Sequence, residues 1–143
     1  MWDMSEERSH FSFRLDRDSR QRLRDAARTR RVSESDLARQ YVTEGVRLER
    51  HPRIVFTEHL TGRRAALRSR PRLDVRYVVD TWLAAKRDEV ETAAYFELEP
   101  ADVAATLAYY REHTAEIDAE RVQAEDLAEH ERAGWQRGRG AAS

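Results

Sequence analysis

The chain has 143 residues, 40% of them apolar, with a net charge of −1, which suits two small modules leaning on a partner for part of their core better than one large globule. It contains no cysteine, no apolar run of the ~18 residues a membrane span needs and no basic start leading into an apolar stretch, so a cytoplasmic protein without disulfides or membrane partner is expected. The near-neutral total hides a division, with 18 basic and 11 acidic residues in 1–72 against 8 and 16 in 73–143, so the two halves are expected to face different partners unless both are merely solvated.

From His10 to Leu15 the residues alternate strictly. Phe11, Phe13 and Leu15 fall on one side, and His10, Ser12 and Arg14 on the other, the period of a strand with one buried face. Asp16 or Asp18 can cap a following helix in which Leu23, Ala26 and Ala27 share a face. A break is expected at Arg31 and Val32. Ser33 with Asp36 three residues on resembles a capping box, and Leu37, Ala38, Tyr41, Val42, Gly45 and Val46 follow at helical spacing to about Arg50. One strand and two short helices cannot bury their apolar faces alone. Two copies must interlock, with the strands paired antiparallel and Phe11, Phe13, Leu15, Leu23, Leu37, Tyr41 and Val42 in a shared dimer core.

The segment Phe11-Ser12-Phe13-Arg14-Leu15, followed by a helix and then Ser33-Glu34-Ser35-Asp36-Leu37, resembles the CopG-like ribbon-helix-helix repressors over residues 9–50. That resemblance implies a two-stranded ribbon in the major groove of double-stranded operator DNA, with His10, Ser12 and Arg14 meeting base edges. It also implies a phosphate anchor at Ser33, Glu34 and Ser35, where helix N–H groups favour an anion. The family commonly has glycine where Arg31 stands, because the turn between the helices often needs a positive φ.

His51 and Pro52 should end the second helix. Residues 53–56 and 64–67 suggest a small hairpin around Gly62, followed by a basic loop holding Arg68, Arg70 and Arg72. Asp74 opens an amphipathic helix with Val75, Val78, Val79, Trp82 and Leu83 on one side. Val90, Ala93, Ala94 and Phe96 suggest a short second helix, and Glu99-Pro100 starts a third with Val103, Leu107 and Tyr110 in line. Three helices with a tight turn near Leu98 look like a helix-turn-helix. Residues 88–102 nevertheless hold six acids and no base, and the third helix offers Ala101, Asp102, Ala105 and Thr106 where a recognition helix needs arginine, asparagine or glutamine. A structural or protein-binding unit is expected instead.

Parts of residues 51–120, among them His51-Pro52-Arg53-Ile54-Val55-Phe56, Gly62-Arg63-Arg64, Leu73-Asp74-Val75 and the stretch from Val103 to Asp118, resemble a small bacterial family of VapB-like antitoxins. The resemblance implies a cognate toxin partner, a PIN-like ribonuclease. Beyond it the sequence is polar, yet Ile117, Ala124, Ala128 and Trp135 form a thin helical stripe with Leu127 beside it. Ile117, Leu127 and Trp135 are therefore candidate toxin-binding residues, with Trp135 as an aromatic anchor.

No glycine loop for phosphate, no paired His and Glu on a helix and no cysteine ligand pattern occurs, and the five histidines lack ligand spacing. No catalytic residue, metal or cofactor is expected. The reading is a mainly α protein: a ribbon-helix-helix dimerisation and DNA-binding domain over 1–50, a hairpin plus three-helix module over 51–113, and a polar helical tail over 114–143. The corresponding function is an antitoxin that neutralises its toxin and represses its own operon. The alternatives are a stand-alone repressor whose C-terminal domain binds a protein or effector, and an interaction module with no DNA target.

Overall fold

Asp16 accepts the backbone N–H of Ser19 at 3.0 Å and starts helix α1, Arg17–Arg30. The helix stops at Arg31, whose left-handed backbone (φ 57°, ψ 43°) directs its own N–H to Arg28 O and that of Val32 to Ala27 O. This is the paired-hydrogen-bond ending that usually takes glycine. Ser33 then caps α2, Glu34–Arg50, with its Oγ accepting the Asp36 N–H at 3.0 Å. The break and the cap lie where the sequence places them. Arg31 supplies the positive φ without being glycine.

The computed structural model describes residues 9–141. The chain divides into two compact units between Arg50 and His51. In the first unit, residues 9–16 carry no regular structure in the single chain, and α1 packs on α2.

The second unit begins with a three-stranded antiparallel meander in the order β1-β2-β3. Strands β1 (Ile54–His59) and β2 (Gly62–Leu67) pair from Ile54 opposite Leu67 to His59 opposite Gly62, around a two-residue turn. Gly62 has a φ of 121°, a region that L side chains rarely adopt. The hairpin is as expected, but the basic loop after it is not a loop. Arg70–Asp74 form β3, paired with β2 through a register shift at Ala66 and Leu67. Proline and exposed arginines on an edge strand are how sheets avoid further pairing, and three exposed residues in a row leave no alternation to read.

Four helices follow: α3 (Val75–Ala84), α4 (Glu89–Phe96), α5 (Pro100–Glu112) and α6 (Thr114–Ala141). Val75, Val78 and Val79 of α3 are fully buried against Ile54, Leu67, Tyr109 and Ile117. A smaller cluster joins Ala93, Val103 and Leu107, with Trp82 and Leu98 packed on it. The α4–α5 turn repeats the ending of α1. Glu97 is left-handed, its N–H bonds to Ala94 O, and that of Leu98 bonds to Ala93 O.

Two expectations fail here. Asp102 and Thr106, taken as an exposed face of α5, are buried, because α5 packs on α3, α4, α6 and β1 and so has little free surface. Ile117, expected to face a partner, is wholly buried in the chain's own core, so the start of α6 belongs to the second unit. Among the described residues no helix is long and apolar enough to cross a membrane.

Candidate nucleic-acid interface

The first unit is short of a core. Among its described residues only Ala27 and Leu37 are buried, while Phe11, Phe13, Leu15, Val32, Tyr41, Val42 and Val46 are exposed. Leu23 is half-buried. Phe11 is 80% exposed, and its ring centroid lies 6.0 Å from that of Phe13, close to the ~6.6 Å that two residues of an extended chain span. The two rings thus stand on one side of residues 10–15. His10, Ser12 and Arg14 are all exposed.

At the start of α2 the three proposed phosphate contacts differ. Ser33 spends its Oγ on the cap, whereas the N–H groups of Glu34 and Ser35 occupy first-turn positions that have no intrahelical acceptor. The Glu34 side chain is committed to α1: Arg24 Nε donates to its Oε1 at 3.2 Å and Arg20 Nε to its Oε2 at 3.1 Å. The hydrogen bond from Arg24, with that from Arg20, outweighs partial burial and holds this carboxyl below the usual range. Glu34 could therefore offer a phosphate its backbone N–H but not its side chain, whose role is to lock α1 to α2. The spacing of Arg20, Arg24 and Glu34 was available in the sequence, but which helix faces pair is a tertiary fact.

Charge is distributed differently from the simple division into halves. Residues 1–50 hold 12 basic and 10 acidic side chains, while 51–72 hold six basic residues and one acid, Glu58. The basic excess lies chiefly in the sheet. Part of it is answered within the second unit. Arg53 Nη1 donates to buried Asp102 Oδ1 at 2.9 Å, and Ser69 Oγ donates to Oδ2 of the same carboxylate at 2.8 Å. Arg64 donates to Gln123 at 2.8 Å and lies 3.9 Å from Glu120. Arg68, Arg70 and Arg72 remain exposed on the β2–β3 turn and the edge strand. Comparison with protein-family models, with curated proteins and with solved structures finds no match.

At the other end of the chain, no residue of α6 beyond Glu120 is buried. Leu127 and Trp135 are exposed, the latter at 63%, with the Arg139 guanidinium over its ring 4.7 Å from the centroid. Of the three candidate toxin contacts, Leu127 and Trp135 are available to a partner and Ile117 is not.

Proposed function

We propose that the chain is a homodimeric ribbon-helix-helix repressor that serves as the antitoxin of a toxin-antitoxin pair. The observation that carries the DNA-binding half is the unfinished core of the first unit. Antiparallel pairing of residues 10–15 from two copies would cover Phe11, Phe13 and Leu15, whose burial is worth roughly 1.5–3 kcal/mol each. The same pairing turns His10, Ser12 and Arg14 outward as one surface, of a width the major groove accepts. The left-handed turn at Arg31 and the Ser33 cap agree with the helix-turn-helix spacing of the resembled repressors.

The antitoxin half rests on the resemblance of residues 51–120 to VapB-like proteins and on the exposed apolar side chains of α6. The acids of α4 and the burial of Asp102 and Thr106 leave α3–α5 without a basic reading face, which supports a structural or protein-binding role. In a second reading, a repressor whose C-terminal unit takes an effector, that effector would sit in the open depression of about 480 Å³ between β2 and α6, lined by Arg63, Arg64, Glu116, Glu120 and Gln123.

Sedimentation of the purified chain tests the dimer, and Phe13→Ala should turn it into monomer or unfold it, since truncating a buried aromatic costs about 3–5 kcal/mol. A folded Phe13→Ala dimer of unchanged melting temperature would reject the ribbon. Co-expression with the product of the adjacent gene separates the two functional readings: co-purification supports the antitoxin, and its absence favours the effector-controlled repressor.

A further inference from the structure

The five histidines show no ligand spacing along the chain, yet the fold of the second unit brings two of them to one carboxylate. His51 is its first residue, Glu112 is the last residue of α5, and His113 is the C-cap of that helix. One ligand atom from each lies within 4.8 Å of the other two. His51 Nε2 and Glu112 Oε2 are 2.8 Å apart.

We propose that His51, Glu112 and His113 bind a zinc ion. Adjacent residues on a regular helix point in different directions, but at His113 the backbone leaves the helix (φ −128°, ψ 37°), and this departure lets neighbouring side chains address one point. Zinc bonds of about 2.0–2.2 Å in a tetrahedron set ligand atoms about 3.4 Å apart. An entering ion must therefore open the short contact by about half an ångström and draw the wider ones in by at most about 1.4 Å. Such shifts are within side-chain rotation.

The surroundings favour orientation of the ligands before the ion arrives. Tyr109 is fully buried, and its ring stands T-shaped to that of His51, with centroids 5.1 Å apart, and tilted against that of His113 at 4.5 Å. One rigid ring thus fixes both imidazoles. His51 is itself buried, while Glu112 and His113 stand nearer the surface, which gives the ion an entry side and leaves a fourth position for water. Two imidazoles and one carboxylate suit a borderline cation. Magnesium and calcium ask for six or more oxygens and are poorly served. The ion would bolt the entry to β1 onto the α5–α6 corner, so its binding energy would add to the stability of this unit.

The test uses the full chain stripped with a chelator and then titrated with Zn²⁺ in competition with a chromophoric indicator. One zinc per chain is expected, with a rise in melting temperature that magnesium does not reproduce. Replacing a neighbour that merely orients a ligand typically weakens a metal about 10- to 100-fold, so loss of a ligand in His113→Gln or Glu112→Gln should weaken zinc at least about 100-fold. A triple variant with glutamine at His10, His59 and His130 should bind as the parent does. Metal-free melting curves show which variants are folded, and His113→Gln alone decides the matter should Glu112→Gln unfold. Absence of stoichiometric zinc binding by the parent, or undiminished binding by folded His113→Gln, overturns the proposal and leaves the His51–Glu112 contact as a plain hydrogen bond.

Discussion

Arg14 and Arg31 show how differently one residue type can act within a single small unit. Arg14 lies on the exposed side of residues 10–15 and is part of no buried cluster, so its removal should leave folding intact. If its planar fork reads guanine, Arg14→Ala should erase about 1–3 kcal/mol of preference for DNA upstream of the chain's own gene over a scrambled duplex. Competition binding checks this, and an equal loss on both duplexes would make Arg14 a phosphate contact. Arg31 acts through its backbone. An L residue in the left-handed region costs about 1–2 kcal/mol, and glycine returns part of that through the greater freedom of its unfolded chain, about 0.4–1 kcal/mol. Arg31→Gly should therefore stabilise the protein by about 0.5–1 kcal/mol in urea unfolding. A loss of stability would mean that the Arg31 side chain holds something the turn requires.

At the scale of elements, Glu120 shows what packing α6 against the sheet costs. Its Oε2 is buried without a hydrogen-bond partner among the described residues, and burial pushes its pKa up to about 7, with Glu116 and Asp74 adding to the rise and Arg64 and Arg76 opposing it. The unfolded chain ionises this group near 4.5, so folding becomes less favourable as pH climbs from about 4.5 to about 7 and the penalty is complete above that. Glu120→Gln removes it. The variant should gain on the parent across this window by about 1–2 kcal/mol, after discounting the shift for residual solvent. Urea unfolding of both proteins at pH 5, 6, 7 and 8 checks the trend, and a difference independent of pH would contradict it.

The same elements show what was legible in the sequence. The valines of α3 could be read because helical periodicity dominates there, and the hairpin because two short segments flank Gly62. Strand β3 could not, since exposed Arg70, Pro71 and Arg72 precede only one buried apolar residue, Leu73. Nor could the polar side of α5. Asp102 is tolerated inside because Arg53 and Ser69 satisfy it, and Thr106 because its hydroxyl donates to Asp102 O at 2.9 Å. The meeting of His51 with Glu112 and His113 joins residues 61 and 62 positions apart, a distance at which local spacing carries no signal.

For the whole molecule, the unit boundary at Arg50 and the charge boundary near residue 72 do not coincide, and this decides where function can be divided by truncation. A cut before Thr114 would remove Ile117 and Glu120, which are buried in the second unit, and would confuse loss of a partner with loss of the fold. Among the described residues, a cut after Asp126 removes only exposed or half-buried ones, Leu127 and Trp135 included. On the proposed function, the chain ending at Asp126 should dimerise and bind DNA as the full chain does, because residues 10–50 are untouched, while affinity for the adjacent gene product falls. Trp135→Ala in the full chain should cost about 2 kcal/mol or more of that affinity if the ring fills a pocket on the partner. Binding to the partner and to DNA, measured side by side for the full, shortened and Trp135→Ala chains, checks both statements. Should the shortened chain bind its partner as tightly as the full one, α6 is not the contact, and the exposed acidic surface of α4 would have to carry the interface.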